Sequence, residues 1–139
     1  MTDRFCIDTS VWHRIDLPPV AQAFAQKLDQ DQISICDQVR LEILYSTQSA
    51  GEYDDLAFEL SALFLLQSNS KTFARALQVQ QLLAHVGGLH HRSVKIADLL
   101  IAATAEAAGD VVWHYDADFD RIAAVTGQRC EWAVKRGSL

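Results

Sequence analysis

The spacing of hydrophobic and polar residues changes along this chain, and the changes predict strands that alternate with helices. Short apolar runs typical of strands cover residues 5–7, 32–35, 111–115 and 130–134. Helical spacing dominates the sequence between them. Strands separated by helices predict an α/β fold, a three-layer α/β/α sandwich with a mostly parallel central sheet.

The first predicted helix follows two prolines. Val20, Phe24 and Leu28 recur at intervals of four residues, and Pro18 and Pro19 stand just before them, where proline is tolerated. Two later groups of apolar residues also have helical spacing. The first is Tyr53, Leu56, Leu60 and Leu63, and the second is Ala76, Val79 and Leu83, which precedes a glycine pair at 87–88.

Polar residues and glycines predict where the other helices begin and end. Asp37 is an expected N-cap after the second strand, and Asp118 is an expected N-cap for a short helix over 119–125. Gly109 is expected to close a long helix over 96–108.

Four carboxylates lie in or at the end of these apolar runs: Asp8, Glu42, Asp98 and Asp116. An ionised carboxylate removed from water without a partner is strongly unfavourable, and a bound cation is one usual remedy. Hard divalent cations prefer carboxylate oxygens, whereas zinc sites usually draw on His and Cys. The four acids therefore predict a metal-dependent phosphotransfer site.

Position in the predicted fold supports a shared site. Asp8 and Asp116 each follow an apolar strand, and ligands of parallel sheets bind outside the carboxyl ends of the strands. Asp98 has Ile101, Ala102 and Ala105 on its own helix face, so no polar stripe leads it to water. We expect Asp8 and Asp116 to emerge at the same edge of the sheet.

Each acid also has a structural interpretation. Asp98 could be an acid favoured by the positive end of its helix, and Asp8 could cap a turn. Glu42 could be a solvated helix residue. Asp116 and Asp118 could belong to a cluster of acids at a helix start, as we expect for Asp120.

Length and composition fit one domain over residues 1–139. Half of the 139 residues are hydrophobic, which suffices for one core. The amino terminus has no signal-peptide pattern, and no apolar run is long enough to span a bilayer, so we expect a cytoplasmic protein that binds no membrane. Cys6, Cys36 and Cys130 are expected to be reduced core residues.

The net charge of −6 at first argues against a nucleic-acid partner, because phosphate binding usually needs a basic surface. If five acids share one metal site, however, the rest of the chain carries only −1. Charge therefore does not exclude RNA or DNA.

Four strings, taken in order, resemble the PIN-domain nucleases, specifically the VapC toxins of VapBC toxin-antitoxin systems. They are DTSV at 8–11, RLEI at 40–43, ADLLIAA at 97–103 and HYDADFDRIA at 114–123. One departure is Ala117, which stands where relatives often have a basic residue.

The resemblance implies an endoribonuclease that depends on one or two Mg²⁺ or Mn²⁺ ions and cleaves cellular RNA of the tRNA or rRNA class, which inhibits translation. Carried over to this sequence, the resemblance implies four catalytic, metal-binding acids: Asp8, Glu42, Asp98 and Asp116. It also implies that Asp118 is an accessory metal-binding acid and that Ser10 supplies a supporting hydroxyl. It also implies a homodimer neutralised by a VapB-type antitoxin in a higher-order complex.

Other polar and aromatic residues carry weaker signals. His114 is expected to be a hydrogen-bonded core residue, and Trp12 a core or interface residue rather than a base-stacking platform. An RNA-facing loop is predicted before the long helix, with a simple solvated loop as the alternative; its residues are His90, His91, Arg92 and Lys95.

The apolar residues around 56–64 predict a partner surface. We expect Leu56, Leu60, Leu63 and Phe64 to contribute to a dimer contact and to a groove for an antitoxin helix. An antitoxin arginine could then pair with the acidic site. The rival functional class is a non-catalytic PIN-like module that binds RNA or protein without cutting, which the complete acid set disfavours.

Overall fold

The computed structural model describes residues 2–139, which contain one five-stranded sheet. The strand order is β3-β2-β1-β4-β5, and every neighbouring pair is parallel. The strands are β1 (Phe5–Ile7), β2 (Ile33–Cys36), β3 (Phe64–Leu66), β4 (Val111–His114) and β5 (Cys130–Trp132). The predicted parallel α/β architecture is confirmed.

Eight helices connect the strands within the described residues. They are α1 (Thr9–Trp12), α2 (Pro18–Asp29), α3 (Asp37–Tyr45), α4 (Ala50–Leu60), α5 (Ser70–Val86), α6 (His90–Ser93), α7 (Ile96–Ala108) and α8 (Asp118–Thr126). The 96–108 helix has the predicted bounds, and Gly109 closes it in the left-handed conformation at φ 75°. None of these helices is long and apolar enough to cross a membrane.

The chain direction explains why helices cover both faces of the sheet. From β1 the chain steps to β2 and β3 on one side, and then returns to β4 and β5 on the other side. Right-handed crossovers place α1–α4 on one face and α5–α8 on the other. The reversal falls between β1 and β4, and this switch point is where parallel sheets usually bind ligands.

The helical face predicted from Tyr53, Leu56, Leu60 and Leu63 is correct up to Leu60, but Leu63 lies beyond the end of the helix. Helix α4 ends at Leu60, and Phe64–Leu66 forms the edge strand β3, paired with β2. The four-residue spacing of apolar residues misleads here because Leu60 is buried at the helix end whereas Phe64 is exposed on the strand. The guanidinium of Arg4 lies 4.8 Å from the Phe64 ring centroid.

Two predicted N-caps were also wrong by one position. Cys36 and Ala117 are the N-cap residues of α3 and α8, while Asp37 and Asp118 are the first helical residues. The Asp37 carboxylate instead accepts hydrogen bonds from the backbone nitrogen (2.9 Å) and Oγ (2.8 Å) of Ser68. Its contribution is therefore tertiary, since it joins α3 to the loop after β3.

The core lies on both sides of the central strands. Strands β1, β2 and β4 are buried along their whole length, and Trp113 is 1 % exposed. Cys6 and Cys36 are buried free thiols, as predicted, and Cys130 is a half-buried free thiol. Burial raises the pKa of the Cys130 thiol to about 12.

Candidate metal centre

The ends of β1 and β4 bring two acids together at the switch point. These strands are neighbours, with Ile7 opposite Trp113, and each leads directly towards an acid: Asp8 after β1 and Asp116 after His114 and Tyr115. The backbone nitrogen of Asp8 donates to the carbonyl of Trp113 at 2.9 Å. The sheet register therefore fixes where both acids emerge.

Ser10 links Asp8 to the neighbouring strand. Asp8 is the N-cap of α1, and its Oδ2 accepts hydrogen bonds from the backbone nitrogen of Ser10 at 3.0 Å and from Ser10 Oγ. Ser10 Oγ in turn accepts from the backbone nitrogen of Tyr115 at 2.9 Å. One hydroxyl thus holds the Asp8 carboxylate against the end of β4.

Asp116 forms a compact triad with two further carboxylates, Asp98 and Asp118. Oxygen atoms of Asp98, Asp116 and Asp118 all lie within 4.8 Å of one another. Asp98 is 4 % exposed in the first turn of α7, and the backbone nitrogen of Asp118 donates to Asp116 Oδ1 at 2.9 Å. The sheet edge, α7 and α8 together build this triad from distant parts of the sequence.

Lys95 places its ammonium group against the triad. Its Nζ lies 2.8 Å from Asp116 Oδ2, 3.0 Å from Asp118 Oδ2 and 3.4 Å from Asp98 Oδ2. Its backbone nitrogen also donates to Asp118 Oδ2 at 3.0 Å. The three carboxylates therefore already attract a cation, one that comes from the chain itself.

Glu42 joins the site from α3. A cavity of about 220 Å³ has Asp8, Asp98, Asp116 and Glu42 in its wall, so the four predicted acids face one space. Buried oxygens Glu42 Oε1 and Asp98 Oδ2 have no hydrogen-bond partner among the described residues, although the Lys95 ammonium lies 3.4 Å from Asp98 Oδ2. Buried carboxylate oxygens without hydrogen bonds at one cavity fit a cation that ligates them.

Crowding and burial shift the pKa values of these acids. Burial, together with the proximity of Asp118 and Asp8, raises the pKa of Asp98 to about 8. Burial also raises the pKa of Asp8 and of Glu42. Asp118 differs, because burial is outweighed there by interactions with Asp98 and Lys95 that lower its pKa.

The predicted RNA-facing residues are not all in one place. His90, His91 and Arg92 belong to the single-turn helix α6 rather than to a loop, and they do not line the acidic cavity, whereas Lys95 does. The loop prediction was wrong because Gly87 and Gly88 end the preceding helix without preventing a new turn. A role for any of the four in RNA binding stays a prediction.

Three cavity residues were absent from the sequence-based site, namely Thr9, His13 and Arg14. His13 and Arg14 follow α1 and line the cavity beside Asp8. Their sequence signal is position alone, a few residues after an acid that ends a strand. His114 matches its predicted core position, because it is fully buried between Phe119 and Trp132, and burial lowers its pKa to about 4.

Comparison with known proteins shows the family of this chain. The PIN domain profile matches residues 5–125, so it covers most of the chain. Ribonuclease VapC18 of Mycobacterium tuberculosis is 60 % identical over 135 residues, which span 97 % of this chain and 98 % of that protein. The chain belongs to the PIN-domain family, in its VapC group.

Other VapC proteins and solved structures agree. Ribonuclease VapC51 of M. tuberculosis is 42 % identical over 139 residues, covering 100 % of this chain and 99 % of that protein. The crystal structure of DNA-bound VapBC from Salmonella typhimurium contains a chain with a TM-score of 0.72 at 23 % identity, covering 96 % of this chain and all of that one. At that identity the structure shows the shared PIN fold, and the predicted family is confirmed.

Proposed function

We propose that residues 1–139 form a single PIN nuclease domain that acts as a metal-dependent endoribonuclease toxin. The observation that carries this proposal is the convergence of four buried or half-buried acids on one cavity at the switch point of the sheet. The VapC relatives are named ribonucleases, which supports RNA as the substrate. A non-catalytic binding module would gain nothing from the buried Glu42 and Asp98 oxygens that lack hydrogen bonds, because such groups destabilise a fold.

The donor set fits a hard divalent cation, and we propose Mg²⁺ or Mn²⁺, one or two ions. All candidate ligands are carboxylate oxygens, and the triad is compact. Asp8, Glu42, Asp98 and Asp116 would hold the metal, with Asp118 as an accessory ligand. A divalent cation held by these residues would supply an activated water and would offset charge at the scissile phosphate.

The chain's own residues prepare this chemistry. Ser10 orients Asp8 through its hydroxyl and its backbone nitrogen, which keeps one carboxylate oxygen aimed consistently. The backbone nitrogens of Lys95 and Asp118 do the same for Asp118 and Asp116. The proposed nucleophile is water, with the 3′-oxygen of the RNA as the leaving group, so cleavage should leave a 5′-phosphate and a 3′-hydroxyl.

We propose tRNA or rRNA as the substrate class and the cytoplasm as the place of action. Both RNAs are structured, abundant and required for translation, so their cleavage accounts for toxicity. The cavity is open enough for a backbone phosphate, and its volume of about 220 Å³ is small for a whole folded RNA, so only a local segment would enter.

We propose a VapB-type antitoxin as a partner, with an apolar groove on the α1–α4 face as its helix-binding site. The groove has a volume of about 250 Å³, and its walls include Trp12, Phe24, Leu28 and Leu63. Helix-in-groove recognition suits such a surface. Leu60 lines its floor, whereas Phe64 lies on the edge strand, so the predicted four-residue helix face is only partly correct.

We propose the opposite face as the homodimer contact. Phe73, Leu77 and Ile96 are 53 %, 67 % and 71 % exposed, and they surround a shallow apolar cavity of about 100 Å³ between α5 and α7. Exposed apolar side chains in one place usually mark an interface. Because the two faces are separate, dimer and antitoxin can bind together in a higher-order complex.

The direct test is cleavage of total tRNA and rRNA by the purified protein. We expect cutting in Mn²⁺ or Mg²⁺, none in a chelator, and ligatable 3′-hydroxyl and 5′-phosphate ends at each cut. Cleavage that persists without divalent metal would contradict the proposal. Cleavage products with cyclic phosphates would contradict the proposed attack by water.

A further inference from the structure

Arg14 is a cation held in the wall of the acidic cavity. Its Nη1 donates to the carbonyl oxygen of Ser10 at 2.8 Å, and its guanidinium carbon lies 4.7 Å from the ring centroid of Tyr115. Ser10 and Tyr115 are themselves joined at the ends of β1 and β4. The side chain is therefore fixed by the same groups that fix Asp8.

The charge of Arg14 is not used within the protein. Among residues 2–139 it forms no ion pair within 4.0 Å, and its single side-chain hydrogen bond goes to Ser10. A guanidinium has five N–H donors, so four stay available for a ligand. Lys95, on the same cavity, is by contrast already engaged with three carboxylates.

Substrate chemistry requires such a group. A cavity lined by Asp8, Glu42, Asp98 and Asp116 repels an RNA backbone unless cations offset the acids. Metal ions offset the negative charge only at the oxygens that they bind. Ala117, which lies between Asp116 and Asp118, supplies no side-chain cation. A free, preorganised guanidinium beside the acids provides the planar fork that binds phosphate through two hydrogen bonds.

We infer that Arg14 binds a backbone phosphate of the RNA next to the scissile one, with Tyr115 and Ser10 as its supports. The inference rests on the proposed function, because it names a substrate contact of the same site. RNA is favoured over a protein partner because Arg14 faces the polar cavity, whereas the apolar groove is lined from α1 by Trp12. Arg14 then fixes the position of the RNA backbone relative to the acids of the cavity.

Binding of a short single-stranded RNA, measured by fluorescence anisotropy at a fixed Ca²⁺ concentration that offsets the acids over a series of KCl concentrations, tests this inference. For Arg14→Gln we expect the slope of log affinity against log salt to fall in magnitude by about 0.7, the value for one phosphate contact on a single strand. In Mn²⁺, kcat/KM on total tRNA should fall about tenfold to a hundredfold. Mn²⁺ affinity should stay as in the parent.

Arg129→Gln is the matched control. Arg129 is an exposed arginine far from the cavity, where it pairs with Asp3 at the opposite edge of the sheet. We expect its salt slope and cleavage rate to equal the parent's. Arg14→Lys should keep the parental salt slope and lose about threefold to tenfold in kcat/KM, because lysine keeps the charge but not the planar pair of N–H donors. This variant tests the inference if Arg14→Gln does not fold.

Three results would overturn the inference. An Arg14→Gln protein with the parental salt slope and rate leaves Arg14 without a phosphate contact, while parental cleavage keeps the proposed function intact. An unchanged slope with weakened Mn²⁺ binding would make Arg14 a support for Asp8 alone. If the parent neither binds nor cuts RNA, the proposed function fails, and the inference fails with it.

Discussion

The Nζ of Lys95 lies 2.8 Å from Oδ2 of Asp116, so an intramolecular cation sits where the acids of this chain converge. The same ammonium is 3.0 Å from Asp118 and 3.4 Å from Asp98. Its side chain is 62 % exposed, which leaves it free to turn away when another cation binds. Under the proposed function, Lys95 and a metal ion would therefore compete for the same carboxylates.

Lys95→Met should strengthen metal binding. A partly exposed ion pair contributes about 1 kcal/mol, and Mn²⁺ must displace the ammonium to bind. Without the ammonium we expect the Mn²⁺ affinity, measured by calorimetry, to rise about threefold to tenfold. Lys71→Met, which removes the same charge from an exposed position on α5, should leave the affinity unchanged. Weaker Mn²⁺ binding by Lys95→Met would show that the ammonium supports the site instead.

Asp98→Asn should preserve the fold and abolish metal-dependent cleavage. The substitution keeps the side-chain shape in the first turn of α7 but removes a ligand charge from a buried position. We expect a loss of at least about a hundredfold in rate. The control is Asp55→Asn on the exposed surface of α4, which should cut at the parental rate. Parental cleavage by Asp98→Asn would make the assigned site wrong.

The affinity for Mn²⁺ should rise with pH. Asp98 has a pKa of about 8 in the folded protein, above its ordinary value of 3.8, and it must lose its proton to ligate metal. Below pH 8 the apparent affinity should therefore increase about tenfold per pH unit, and it should level off above that. Calorimetric titrations between about pH 6 and 9 measure the slope, and a flat profile would contradict the assignment.

The same pKa predicts the stability of the metal-free protein. Between pH 3.8 and about 8 the folded state holds a proton on Asp98 that the unfolded state has released, so this group's contribution falls as pH rises through that window. Asp98→Asn should therefore gain stability relative to the parent as pH rises from about 5 to 8 without metal. Thermal unfolding in a chelator measures this difference, and a difference that shrinks with pH would contradict the sign.

Two exposed leucines should separate the proposed partner surfaces. Leu28→Glu, in the groove of the α1–α4 face, should weaken antitoxin binding at least about tenfold and leave the oligomeric state of the free protein unchanged. Leu77→Glu, on the α5–α7 face, should dissociate the dimer and retain antitoxin binding. Pull-down with the operon-encoded antitoxin and light scattering measure the two effects, and exchanged effects would reverse the assignment of the faces.

Much of the architecture is readable from the sequence because its elements have strong local signals. The long helix around Asp98 carries an uninterrupted apolar pattern and a closing glycine, and its bounds match the prediction. Strand β3 has no such signal, because Phe64–Leu66 continues the apolar spacing of the preceding helix. Only its pairing with β2 makes it a strand.

The sequence by itself determined the family. It also identified the acids that would be buried or half-buried, because a carboxylate within an apolar run is removed from water when that run enters the core. It could not place Lys95 or Arg14, because the position of a flexible cation depends on groups far along the chain: Asp116 and Asp118 for the first, and Tyr115 for the second. Tertiary structure decided which cation the acids hold and which stays free for a ligand. The physical reason is that electrostatic contacts act through space, at distances set by the sheet register, whereas helix and strand periodicity act along the chain.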